Sequence, residues 1–110
     1  MSLLEAPFQT VVSRLQGAVV VAIHGELDIY TAPGLRGLLH DIIEDQGNLT
    51  VVVDLARMTF IDSSGLSALV GALKSIRSRG GELTLANPTR GTLRAFEISG
   101  LNRIFTVTGE

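Results

Sequence analysis

Two short apolar runs of strand length, Ala18 to Ile23 (AVVVAI) and Leu49 to Leu55 (LTVVVDL), are each followed by a stretch whose apolar residues recur at helical spacing. A continuous β-branched run of this length reads as a strand buried on both faces of a sheet. After the first run come Leu35, Leu38, Leu39, Ile42 and Ile43, one apolar helical stripe. Thr31 is its expected N-cap, Pro33 fits its first turn, and Gln46-Gly47-Asn48 ends it. After the second run, Arg57 to Ile61 leads to Asp62-Ser63-Ser64-Gly65, and Leu66, Leu69, Val70, Leu73 and Ile76 repeat at helical spacing. Gly80-Gly81 stops that helix, with Arg77 and Arg79 in its last turn, where positive charge complements the helix dipole.

The remaining elements are shorter. Phe8 to Leu15 ends at Gln16-Gly17, a turn signal, and pairs with the first apolar run as a hairpin. His24-Gly25-Glu26-Leu27-Asp28 then leaves the strand. Glu82 to Ala86 is a strand, and Asn87-Pro88 opens a third helix with Leu93 and Phe96 on its apolar face. Ser99-Gly100 closes it, and Ile104 to Val107 is a last strand. The order β-β-α-β-α-β-α-β predicts an α/β domain: a mixed, mainly parallel sheet with helices and an opening β-hairpin, its crossovers right-handed.

With 110 residues the expectation is one domain over 1–110, large enough to bury a core. The 9 basic and 11 acidic residues leave a net charge of −2, which argues against direct nucleic-acid binding. Zero cysteines exclude disulfides, thiolate metal sites and cysteine nucleophiles, and two histidines, His24 and His40, cannot build a histidine-rich metal site. Met1 to Phe8 lacks the pattern of a secretory signal, and no apolar run approaches the roughly 20 residues of a membrane span. A soluble, cytoplasmic protein without a membrane partner is expected.

In sheets of this kind functional groups gather where strands end and helices begin. Two such loops are chemically distinctive, Gly25–Thr31 and Phe60–Leu66. In the second, two hydroxyls stand at a helix N-terminus, and three roles fit. Ser63 or Asp62 can cap the helix, worth about 1 kcal/mol, while Gly65 permits a turn or close packing. Leu66 stands where a reciprocal capping box would need Glu or Gln. Alternatively a serine is a phosphorylation switch: a phosphate adds a charge of about −1.5 to −2 beside Asp62 and repels a partner that accepts the neutral loop. A catalytic serine fits poorly, because Gly-x-Ser-x-Gly would put glycine at 61 or 62, which are Ile and Asp. No Gly-x-x-x-x-Gly-Lys loop or Gly-x-Gly-x-x-Gly fingerprint is present, so a small nucleotide-binding domain rests on the helix N-terminus alone.

Five segments in register resemble the STAS domain, and specifically the bacterial anti-sigma factor antagonists: Gly25-Glu26-Leu27-Asp28 after the second strand, Val51-Val52-Val53-Asp54-Leu55, Phe60-Ile61-Asp62-Ser63-Ser64-Gly65-Leu66, Gly80-Gly81-Glu82-Leu83, and Phe96-Glu97-Ile98-Ser99-Gly100-Leu101. The resemblance runs from about Val11 to Val107. It implies a partner-switching regulator without enzymatic activity of its own. In that family the unphosphorylated antagonist binds an anti-sigma factor that is also a serine kinase, and the sigma factor is released. The kinase modifies the first loop serine, here Ser63, with Ser64 the alternate. A metal-dependent serine phosphatase restores the active form. ATP and metal belong to those partners, so no cofactor is expected here.

The expected contact surface comprises Glu26, Leu27, Asp28, Ile29, Tyr30 and Thr31 from one loop and Asp62, Ser63, Ser64, Gly65 and Leu66 from the other. Ser67 and Lys74 join them, with Val70 and Leu73 kept for the core. Asp28 falls at a family position close to the phosphorylation loop, and as a loop acid before Thr31 it can equally be a cap. Family members often continue into a further helix where this sequence has Thr108-Gly109-Glu110, which would leave one flank of the sheet less covered. The family also includes domains of stress-signalling assemblies, lipid-transport systems and anion transporters. A free-standing domain disfavours the transporter case, and the paired loop serines favour phospho-regulation over lipid transport.

Overall fold

The structure, a computed structural model, describes residues 8–109. The expectations about a leader and the outer domain limits fall partly on residues 1–7 and 110, outside the described residues. The chain runs β1 (Phe8–Leu15), β2 (Ala18–Leu27), α1 (Ala32–His40), β3 (Thr50–Ile61), α2 (Ser63–Ser78), β4 (Glu82–Ala86), α3 (Arg90–Ser99) and β5 (Thr106–Thr108). Gln16 and Gly17 both take positive φ, 51° and 84°, the conformation a two-residue hairpin turn demands, and β1 pairs antiparallel with β2. The other pairings are parallel, and the sheet order is β1-β2-β3-β4-β5.

That order corrects the expectation of strands buried on both faces. Burial alternates along β2 and the first half of β3: Val19, Val21, Ile23, Val51, Val53 and Leu55 are no more than 1% exposed, while Val20, Ala22 and Val52 between them are half-buried. A doubly covered sheet needs its strand order to reverse. Here every crossover steps the same way, and right-handed crossovers then load the helices onto one face. On that face the strands meet Leu35 and Leu39 of α1, Leu69, Leu73 and Ile76 of α2, and Phe96 of α3, whose ring lies 6.0 Å from that of Phe105. Leu73 is core as expected, and Val70 is half-buried against it.

The elements differ from expectation at their ends. β2 and β3 continue past their apolar runs to Leu27 and Ile61, because their mixed polar tails pair with each other, His24 with Arg57 through Leu27 with Ile61. The apolar stripe of α1 finishes in a wider turn over Asp41–Asp45, closed by the Gln46 N–H donating to the Asp41 carbonyl at 2.9 Å. α3 starts at Arg90 with Thr89 as its cap, so Pro88 precedes the helix rather than opening it. β5 runs Thr106–Thr108 rather than Ile104 to Val107, since a short 3-10 turn over Leu101–Arg103 takes Ile104 as its C-cap. No helix among the described residues is long and apolar enough to cross a membrane.

Candidate functional site

The site is built where β2 and β3 end together. β3 gains one residue on β2 between the Ala22–Asp54 and His24–Arg57 pairs, and another between Gly25–Met58 and Glu26–Phe60. Each is a bulge, which bends the strand and ends its simple alternation. Leu55 and Met58 are buried while Ala56, Arg57, Thr59 and Phe60 face solvent. Beyond the bulges Leu27 pairs with Ile61, and the Asp62 N–H donates to the Leu27 carbonyl at 3.2 Å. The loop after β2 and the loop after β3 are thereby joined side by side.

Asp62, not Ser63, caps α2. Its backbone is extended, and Oδ1 accepts from the Ser64 N–H at 2.9 Å and the Gly65 N–H at 3.1 Å. Ser63 is released from that duty: it is exposed, and among the described residues its Oγ has no hydrogen-bond partner. Ser64 is half-buried one step further into the helix, and Gly65 is buried. Asp62→Ala is expected to lower the unfolding free energy by about 1 kcal/mol, with Asp62→Asn recovering most of it, as read from urea denaturation.

The loop after β2 is held by an acid and a hydroxyl. Asp28 Oδ1 accepts from the Tyr30 N–H at 2.9 Å and the Thr31 N–H at 3.1 Å. The Thr31 hydroxyl donates to the Glu26 carbonyl at 2.8 Å and accepts from the Asp28 N–H at 2.9 Å. Thr31 occupies the N-cap position of α1, but its side chain caps no helical N–H, because the hydroxyl is committed to its own loop. Asp28 is thus a turn-holding residue whose carboxylate is engaged within the loop. Ile29 and Tyr30 project from the tip, 63% and 89% exposed.

The expected surface therefore needs correcting beneath its skin. Leu27 is 0% exposed and Gly65 is buried, so both support the surface without forming it. A β-carbon on Gly65 would stand 2.7 Å from Leu27 Cγ and 2.9 Å from the Leu27 carbonyl oxygen, which is the close approach that requires glycine here. Glu26, Ile29, Tyr30, Ser63 and Ser67 are exposed, with Asp28, Thr31, Asp62, Ser64 and Leu66 half-buried around them. Lys74 is exposed but roughly 16 Å further along α2, at the helical rise of about 1.5 Å per residue. A cleft of about 310 Å³ lies between the first turns of α1 and α2 and brings Ile29, Pro33 and Arg36 to Ser63, Ser64 and Ser67. Pro33 and Arg36 were not among the expected site residues. They lie on a helix whose apolar stripe marks only its buried side, and nothing in the pattern says which neighbour its outer side faces.

The STAS domain profile matches residues 9–109. The chain belongs to the STAS domain family. This STAS domain is 33% identical over 99 residues to the anti-sigma-B factor antagonist of Bacillus subtilis, covering 90% of this chain and 89% of that protein. Among solved structures it resembles an anti-sigma factor antagonist from Mycobacterium paratuberculosis, with 28% identity, a TM-score of 0.85 and coverage of 97% of this chain and 92% of that one. It also resembles the Bacillus cell fate determinant SpoIIAA in its phosphorylated form, with 26% identity, a TM-score of 0.71 and coverage of 94% and 92%. The five-stranded mixed sheet agrees with the STAS-like fold expected from the sequence.

Proposed function

We propose that this STAS domain is an anti-sigma factor antagonist whose docking surface is switched by phosphorylation of Ser63. The observation that carries the reading is the exposed Ser63 hydroxyl, unbonded among the described residues, at the junction of two loops, in a chain whose relatives are named for antagonising anti-sigma factors. Unmodified, the surface offers the exposed Ile29 and Tyr30 beside neutral hydroxyls, a combination that a partner can cover. In the modification step Ser63 Oγ attacks the γ-phosphorus of ATP held by the partner kinase. The Oγ–P bond forms, the bridging P–O bond to ADP breaks, and the hydroxyl proton passes to a base on the kinase. A serine phosphatase reverses the step by hydrolysis. The domain is a regulatory binding protein in this scheme, working in the cytoplasm, and it contributes neither metal nor nucleotide.

Incubation with its anti-sigma factor partner and ATP, followed by tandem mass spectrometry, is expected to place the phosphate on Ser63. Modification of Ser64 with Ser63 bare would overturn the assignment.

A further inference from the structure

Arg36 stands on the outer side of α1, exposed, and is the one cation among the residues lining the cleft that also holds Ser63. Among the described residues it has no ion-pair partner and no side-chain hydrogen bond. His40 and Arg79 stand at the far ends of α1 and α2 and are engaged there. Arg79 lies 3.5 Å from Glu44, and His40 lies 3.5 Å from the same residue and 3.9 Å from Asp41, so the acids that follow α1 already have partners. Of the three acids in the loops, Glu26 is exposed, and Asp28 and Asp62 are occupied. Asp62 accepts two backbone N–H groups, and Asp28 is tied to Tyr30 and Thr31. Among the described residues, an unpaired guanidinium thus shares a cleft with an unbonded hydroxyl, while the carboxylates of Asp28 and Asp62 are held by their own loops.

We propose that Arg36 is a clamp in cis for the phosphate on Ser63, a deeper reading of the switch that rests on Ser63 being the modified residue. A phosphoserine brings three acceptor oxygens and a charge of about −1.5 to −2, and a guanidinium offers planar donors that meet such oxygens two at a time. The cleft provides the room, about 310 Å³ between the two helices. Phosphorylation then both adds charge to the surface and draws the phosphate toward Pro33 and Ser67, closing the cleft from within. Arg36 is a positioning residue in this scheme, acting on the modified state alone and leaving the unmodified domain unchanged.

The test uses the full chain with phosphoserine installed at position 63 during translation, so it does not depend on any kinase. Phosphorus NMR titration reads the second ionisation of the phosphate directly. With Arg36 present, that ionisation is expected about half a pH unit lower than in Arg36→Gln, because a nearby cation favours the dianion. Arg36→Lys, which keeps the charge but loses the planar fork, is expected to fall between them. Glu26, Asp28 and Asp62, the anions of the two loops at this end of the cleft, raise the midpoint equally in all three proteins and cancel in the comparison. Coincident midpoints for the wild type and Arg36→Gln, with both folded by circular dichroism, would overturn the clamp. A failure of Ser63 to accept phosphate from the partner kinase would instead count against the switch itself and leave this measurement untouched.

Discussion

Ser63→Asp is expected to weaken binding to the anti-sigma factor partner by at least tenfold, measured by calorimetry, while Ser63→Ala stays within about threefold of the wild type. Placing like charge at a docked surface costs several kcal/mol when it is desolvated, and 1.4 kcal/mol is already a factor of ten. The alanine variant loses only a hydroxyl that is exposed and makes no hydrogen bond among the described residues. Ser63→Ala is expected to move the unfolding free energy by no more than about 0.5 kcal/mol, and Ser63→Asp, at the first position of α2, to stabilise by no more than about 1 kcal/mol. Stability therefore separates a switched surface from a damaged fold. Equal affinities for the wild type and Ser63→Asp would end the electrostatic account.

A second large effect is expected at a residue that touches no partner. Gly65→Ala should lower the unfolding free energy by about 1–3 kcal/mol through overpacking, although alanine is normally the better helix former. The added methyl would meet Leu27 Cγ at 2.7 Å, Ile61 Cγ1 at 2.8 Å and the Leu27 carbonyl oxygen at 2.9 Å. The side chains can turn aside, but the carbonyl cannot without disturbing the bond it accepts from the Asp62 N–H. Gly71 lies in the same helix with nothing within 4 Å of its would-be β-carbon, so Gly71→Ala should instead stabilise, by about 0.5–1 kcal/mol. Opposite signs at the two glycines, read from chemical denaturation, check that the two loops are locked together at Gly65. A Gly65→Ala variant as stable as Gly71→Ala would show that they are not.

The element order was legible because two periodicities alternate cleanly. The runs at Ala18–Ile23 and Val51–Leu55 and the stripes at Leu35–Ile43 and Leu66–Ile76 each belong to one kind of structure only. How far the strands extend was not legible, since His24–Leu27 and Arg57–Ile61 become strand by pairing with each other, and neither segment carries that information alone. Two-sided burial was expected from apolar runs in which Val20 and Val52 look no different from their buried neighbours; the unreversed strand order decides the matter. At the site, Ser63 and its loop were readable from the local motif. The division of labour was not, because either Asp62 or Ser63 could cap, and only the backbone geometry chooses the aspartate. Arg36 was invisible for a different reason: its role depends on a helix 27 positions later in the chain, and a lone exposed arginine carries no local signal.

The paired bulges of β3 have a consequence for how such a domain tolerates changes in chain length. Between Asp54 and Ile61 the presentation of the next loop is set by counting: two surplus residues hold Ile61 on the rung of Leu27, which a plain ladder would give to Thr59. Removing the surplus residue before Arg57 would turn Met58 toward water, and removing either one would take Ile61 off the rung of Leu27 and with it the start of α2. Insertions and deletions are therefore to be borne at the hairpin tip around Gln16, far from that rung, while the stretch from Ala56 to Phe60 behaves as a ruler whose length, more than its side chains, determines where the hydroxyl stands.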